Sequence, residues 1–373
     1  MVPQAEPFTL GVEEELQIIN PVTRELDSRA ERILADLTPS LGDEVRSELH
    51  LSMVETVTPV CRSLSELRAE VTRLRRQVMR AAERHDCRIA SAGTHPFSSW
   101  RAQEITPKPR YEEIARKYQY LARESVMFGC HVHVCINDRD MAIQVLNRAR
   151  IWLAPLLALS ANSPYWQGID TGYASHRYGM WLYWPTAGPP NLFRSRAEFD
   201  ELVRAMVATD SVQDGSNLYW DLRLPTRYPT IEFRIMDACM TVDEVVMVAG
   251  LARALVLTCY EQALREAPFP AARTELLRSA HWRAARFGLD GDLIEVGAER
   301  SVRAGAMIEH LLDFVRPALE AFGDWYEVAA IARETVRRGN GAARQRTAFQ
   351  QSGSLAPVVD LMIQETASGV AVL

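Results

Sequence analysis

A chain of 373 residues, 47% of them hydrophobic and 24% charged, has ample material for a buried core, which excludes disorder as its main state. Its 42 basic and 48 acidic residues leave a formal charge of −6, so it lacks the broad basic field that a nucleic-acid backbone demands. All the cations except Lys108 and Lys117 are arginines, so a Schiff-base or phosphate-gripping lysine would have to be one of those two.

The N-terminus, Met1 to Pro7, has neither the cationic start nor the apolar run of a signal peptide. The first element follows it. From Phe8 to Ile19, Leu10, Val12, Leu16 and Ile18 alternate with Glu13, Glu15 and Gln17, the period-two pattern of a half-buried strand. Ser63 to Glu66 reads as a capping box, and Leu64, Leu67, Val71, Leu74 and Val78 recur at helical spacing, predicting a helix over 64–84. The arginines of that helix, at 68, 73, 75, 76 and 80, read as a solvated outer face.

Cys130 to Asn137 alternates again, with Val132, Val134 and Ile136 opposite His131, His133 and Cys135. Residues 141–161 and 242–266 carry helical apolar spacing, the second opening on Thr241 or Asp243 as cap and reading as a core helix. Its apolar stretch, Val245 to Tyr260, is interrupted by Arg253 and falls short of the roughly 20 residues that span a bilayer. Between these helices, Tyr165, Trp166 and Trp181 to Trp184 read as exposed aromatics suited to a lid or to a subunit contact in a homo-oligomer. Residues 218–237 predict a hairpin around the loop from Pro225 to Pro229.

From 270 onward the pattern is mostly helical, with turns near Gly288–Gly291 and Gly339–Gly341. The six cysteines are sparse and follow no secretory spacing, so reduced thiols are expected. The chain is read as one soluble, cytoplasmic domain over 1–373, of α+β class with an antiparallel sheet.

The chemistry concentrates on the polar faces of the strands. Residues two apart on a strand lie about 6.6–7 Å apart, so Glu13 and Glu15 project two carboxylates from one face. Their repulsion is about 2 kcal/mol at an effective dielectric near 20, and something positive must offset it. The returning strand from Thr230 to Asp237 puts Glu232 and Arg234 on one face, and the outgoing strand does the same for Asp221 and Arg223. Glu48 and Glu55 are seven apart, an odd separation that sends them to opposite faces of a continuous strand; they share a site only across a bend or bulge.

Carboxylates recurring without lysine partners are what hard divalent cations such as Mg²⁺ require, and the alternative is pairing with arginine. His131 and His133, two apart on a strand, form a competing zinc centre, with Cys130 or Cys135 as a sulfur donor and a hydrolase as the activity; Cys130, however, points to the other face. No Walker loop and no dinucleotide-binding glycine fingerprint is encoded, so bound ATP would be held through metal and arginine.

Seven motifs, in order from about residue 8 to 346, give the chain a family resemblance. They are Gly11-Val12-Glu13-Glu14-Glu15-Leu16, the run from Glu48 through His50 and Glu55 to Val60, Gly129-x-His131-Val132-His133-Val134, Ala174-Ser175-x-Arg177, Tyr219-Trp220-Asp221-x-Arg223, Ile231-Glu232-Phe233-Arg234 and Gly339-Asn340-Gly341-Ala342-x-Arg344-Gln345. Together they resemble the type-2 glutamate-cysteine ligase family of YbdK-like carboxylate-amine ligases.

The resemblance implies a glutamine-synthetase-like fold, a curved antiparallel sheet flanked by helices. It also implies an ATP-dependent ligase that joins a carboxylate, typically the γ-carboxylate of glutamate, to an amine such as cysteine through an acyl phosphate. By the same resemblance, Glu13, Glu15, Glu48, Glu55 and Glu232 are the acids for two or more Mg²⁺ ions, and Arg234 faces the transferred phosphoryl group. Arg234 and Glu55 are thus the catalytic candidates. Arg177 is expected to bind the amino-acid carboxylate, with His131, His133 and Arg223 beside the substrates, and Arg344 to help hold ATP. The glycines next to Arg344 suit a helix C-cap equally well.

Overall fold

The computed structural model of the protein describes residues 6–215 and 218–370. The first five residues, part of the segment in which no leader was read, lie outside that range. Among the described residues, seven strands form one sheet. They are β1 (Leu10–Ile19), β2 (Val45–Ser47), β3 (Met53–Val57), β4 (Arg88–Ala90), β5 (Cys130–Cys135) and, after the short hairpin of β6 (Tyr165–Trp166) and β7 (Ile169–Asp170), β8 (Leu222–Arg223) and β9 (Thr230–Phe233). The order is β2-β3-β1-β5-β9-β8, with β4 also on β1, and every pairing is antiparallel.

One face of this sheet is apolar because the alternation of each strand puts Leu10, Val12, Val132, Val134, Ile231 and Phe233 on it, all buried in one cluster. Against that cluster packs the helix Val242–Leu264, buried over most of its circumference as its nearly all-apolar sequence requires. Thr241 caps it in a full capping box with Glu244. The fold class expected from the sequence is therefore present: a mostly antiparallel sheet with flanking helices.

Other elements differ from their expected form. The helix Leu64–Arg84 has the expected bounds and the Ser63 cap, but Glu66 reaches back to the amide of Arg62 rather than that of Ser63. Arg75 is not on a solvated face. It is fully buried and forms an ion pair with Glu14, whose carboxylate points to the apolar side between Glu13 and Glu15. The stretch 141–161 is two helices, Arg139–Ala149 and Leu153–Ser160, joined by a tighter turn at Arg150–Trp152. Beyond 270 the chain is mostly helical as expected, but it includes the hairpin of β10 (Asp292–Glu295) and β11 (Arg300–Arg303). All six cysteines are free and buried, and among the described residues no helix is long and apolar enough to cross a membrane.

Candidate active site

Strand register assembles the polar face of the sheet row by row. Glu55 on β3 lies between Arg46 on β2 and Glu15 on β1. Glu13 pairs with His131 across β1 and β5, and one step further along β5, His133 pairs with Glu232 on β9, which pairs with Arg223 on β8. The seven-residue gap between Glu48 and Glu55 resolves without a bulge. β2 and β3 form a hairpin in which even-numbered Arg46 opposes odd-numbered Glu55, so residues of opposite parity share a face, and Glu48, two past Arg46, joins Glu55.

These side chains line one cavity of about 370 Å³, which contains Glu13, Glu15, Glu48, Glu55, Glu232, His131, His133, Arg177, Arg223 and Arg234. The site residues expected from the sequence are thus brought together, with the exception of Arg344. Its guanidinium is paired with Glu244 and Glu365, and it is absent from the lining. The glycine-rich segment around it is structural: Gly339 ends one helix at φ +88°, and the Asn340 side chain caps the next.

Asp221 also departs from expectation. It precedes β8 rather than lying within it, and its buried carboxylate accepts a hydrogen bond from the Tyr178 hydroxyl at 2.8 Å and contacts His281 at 3.0 Å, while Arg223 alone of that motif's charged pair lines the cavity. The aromatics Tyr165, Trp166, Trp181 and Trp184 are buried rather than exposed; of Trp181–Trp184, Tyr183 is the residue that faces solvent.

The electrostatics divide the acids into two groups. Glu232 is held at 2.7 and 3.1 Å by the Arg223 fork and by Arg234 as well, and these guanidiniums overcome burial to keep it far below the usual carboxylate range. Burial also works to raise Glu13, but hydrogen bonds from His131 and His133 outweigh it and hold Glu13 well below its ordinary value. The opposite holds beside them. Burial, then Glu15, pushes Glu48 up to about 7, and burial with Glu13, Glu48 and Glu15 drives Glu55 well above its usual range. Crowded carboxylates that resist ionising together fit a divalent cation, which would supply the missing positive charge. Oxygen and nitrogen atoms of Glu13, His133 and Glu232 lie within 4.8 Å of one another, close enough to share one ion.

The zinc centre expected as an alternative is less well supplied. His131 Nδ1 and His133 Nε2 both turn to Glu13, at 3.3 and 3.5 Å, and neither Cys130 nor Cys135 lines the cavity.

Several further lining residues were not assigned to the site from the sequence. Arg46 enters through strand pairing, Arg110 from the start of the helix Pro109–Tyr118, and Trp181, Trp184 and Tyr219 from packing around the helix His176–Trp181. The Trp181 indole lies under two guanidiniums at once, Arg177 at 5.6 Å and Arg234 at 5.4 Å from its centroid. Leu49, Met53, Ile114 and Met127 add apolar lining.

Comparison with known proteins identifies the family. The sequence model of glutamate-cysteine ligase family 2 matches residues 9–360. A protein of Rhodopirellula baltica provisionally named glutamate–cysteine ligase 2 is 40% identical over 96% of this chain and 96% of its own, and one of Roseiflexus castenholzii with the same provisional name is 41% identical over 98% and 96%. The fold is shared with a glutamate–cysteine ligase of Francisella tularensis solved with AMP, at a TM-score of 0.73 and 11% identity over 98% of this chain and 90% of that one. The chain therefore belongs to glutamate-cysteine ligase family 2, and it is an enzyme of the ligase class.

Proposed function

We propose that this ligase uses ATP to join the γ-carboxylate of glutamate to an amine, with cysteine as the leading acceptor. The observation that carries the reading is the convergence, in one cavity, of acids from β1, the β2–β3 hairpin and β9 with the guanidiniums of Arg177, Arg223 and Arg234. Such a cavity suits a triphosphate: the acids suit its counter-ions, and the arginines suit its oxygens.

In the proposed reaction a γ-carboxylate oxygen attacks the γ-phosphorus of ATP, and ADP leaves. The amine nitrogen then attacks the acyl phosphate carbon, expelling phosphate and losing a proton. Glu13, Glu15, Glu48, Glu55 and Glu232 are the residues that would hold Mg²⁺, which when bound neutralises the phosphates and aligns the attacking carboxylate. Arg234 is assigned to the transferring phosphoryl group. Its planar fork is fixed by Glu232 on one side and Trp181 below, so it needs little reorganisation as charge spreads. Arg177 is assigned to the α-carboxylate of glutamate. His131, which burial and then Arg234 hold below its ordinary pKa, lies close to the acceptor in this scheme.

The test is ADP and phosphate release from ATP with Mg²⁺, glutamate and a panel of amines, with the γ-glutamyl product identified by mass. Release that depends on glutamate and on an amine is expected; none with any amine would sink the reading. Arg234→Lys should lower kcat by about tenfold or more while changing the KM for ATP by less than about threefold, because a point charge replaces a planar fork.

A further inference from the structure

Arg177 is buried, yet its Nε and Nη1 atoms have no hydrogen-bond partner. The carboxylate closest to it, Asp237, stands 3.9 Å from Nη1, near enough to balance the charge and too far to occupy the donor. Asp237 is itself fully buried, four residues past the end of β9, and is held from three sides. The Asn162 amide donates to its Oδ2 at 2.8 Å, the Ser163 hydroxyl donates to the same oxygen at 2.6 Å, and the Ser175 hydroxyl donates to Oδ1 at 2.8 Å.

Both serines also grip the helix that carries Arg177. Ser163 accepts a hydrogen bond from the Arg177 amide at 3.1 Å, and Ser175 is the N-cap, accepting from the Tyr178 amide at 3.2 Å. The backbone leaves no slack around this arrangement. A Cβ on Gly93 would fall 2.6 Å from the Asp237 carboxyl carbon, and one on Gly129 would fall 2.3 Å from Arg177 Nη2.

We propose that Asp237 is a positioning residue for substrate binding, which fixes Arg177 through Ser163 and Ser175 and balances its charge without taking a hydrogen bond from its guanidinium, so that Arg177, which lines the cavity, can serve the carboxylate of the amino-acid substrate. The inference rests on the proposed ligase reading and adds to it the group that sets the reach and direction of its carboxylate clamp. Held at this distance, the aspartate lets a buried cation persist without a ligand and does not compete with one.

The experiment is steady-state kinetics of Asp237→Asn, which keeps the shape and removes the charge. The KM for glutamate should rise about tenfold or more, with kcat and the KM for ATP each within about threefold of the wild type. In an Arg177→Gln background the same substitution should add nothing to the KM for glutamate, since the residue it acts through is gone. If Asp237→Asn does not fold, Ser163→Ala cuts the link between the aspartate and the Arg177 backbone and should raise the KM for glutamate about threefold or more. A wild-type KM for glutamate in these variants, or equal rises for glutamate and ATP, overturns the positioning role and leaves the ligase reading standing. Wild-type protein that releases no ADP with glutamate overturns the ligase reading and this one with it.

Discussion

Glu48 follows the last residue of β2, with its carboxyl pushed up to about 7 by burial and by Glu15. A carboxyl whose folded pKa lies above its unfolded value favours the folded state below the ordinary carboxylate range, and this contribution is lost as the pH rises through about 7. Glu48→Gln is therefore expected to raise the melting temperature of the metal-free protein by about 2 to 4 °C at pH about 8 and to leave it nearly unchanged at pH about 5. Parallel thermal scans at the two pH values check this, and an equal gain at both would count against it. Glu13, Glu15 and Glu232 were legible in the sequence because each alternates with apolar residues on its strand, whereas Glu48, just past β2, and Glu55 come to the same side only through the β2–β3 hairpin. The charge states of the acids were not legible, because Glu13 is lowered by histidines more than a hundred residues away in the chain, while Glu48 is raised by burial and then by the carboxylate of Glu15 on β1.

At the scale of an element, the helix Leu64–Arg84 shows how much local pattern carries and where it stops. Its bounds and cap follow from Ser63 and the apolar recurrence, but its arginines do not all share the outer face. One of them, Arg75, points inward to Glu14 and to the carbonyls of Cys239 and Met240. It stands four residues past Val71 and three before Val78, at the edge of the apolar stripe, whereas Arg80 falls on the opposite side of the helix and is exposed. Arg75→Met should destabilise the protein by about 3 to 5 kcal/mol, because Glu14 is left buried without its partner. Arg80→Met should cost less than about 0.5 kcal/mol. Urea unfolding of the two variants decides the matter, and similar values for both would refute the buried pair as a stabilising contact. The outgoing strand of the 218–237 hairpin was harder to read for a related reason: β8 is two residues long, and Asp221 next to it answers to Tyr178 and His281 rather than to strand alternation.

For the whole molecule, antiparallel architecture and a nearly all-apolar central helix were legible because both leave periodic patterns. The cavity wall was not, because Arg46 and Arg110 reach it from separate elements and the aromatics Trp181 and Tyr219, though noticeable in the sequence, turn toward it only in the folded chain. A ligand that engages the acids should hold those elements together. Mg²⁺ with ATP at about a hundred times its dissociation constant should add about 2.7 kcal/mol to stability, seen as a rise in melting temperature. Glu13→Gln should abolish most of that rise while leaving the ligand-free protein folded. A full rise in the variant would remove Glu13 from the metal-binding set.

The pairing of Arg46 with Glu55 has an evolutionary corollary. Because ladder register, rather than distance along the chain, decides which way Glu48 and Glu55 face, the connection between them can lengthen or shorten while both keep their aim. Searches for distant relatives should therefore hold fixed the two flanking strands and let the interval float; a rigid spacing would discard homologues whose chemistry is intact.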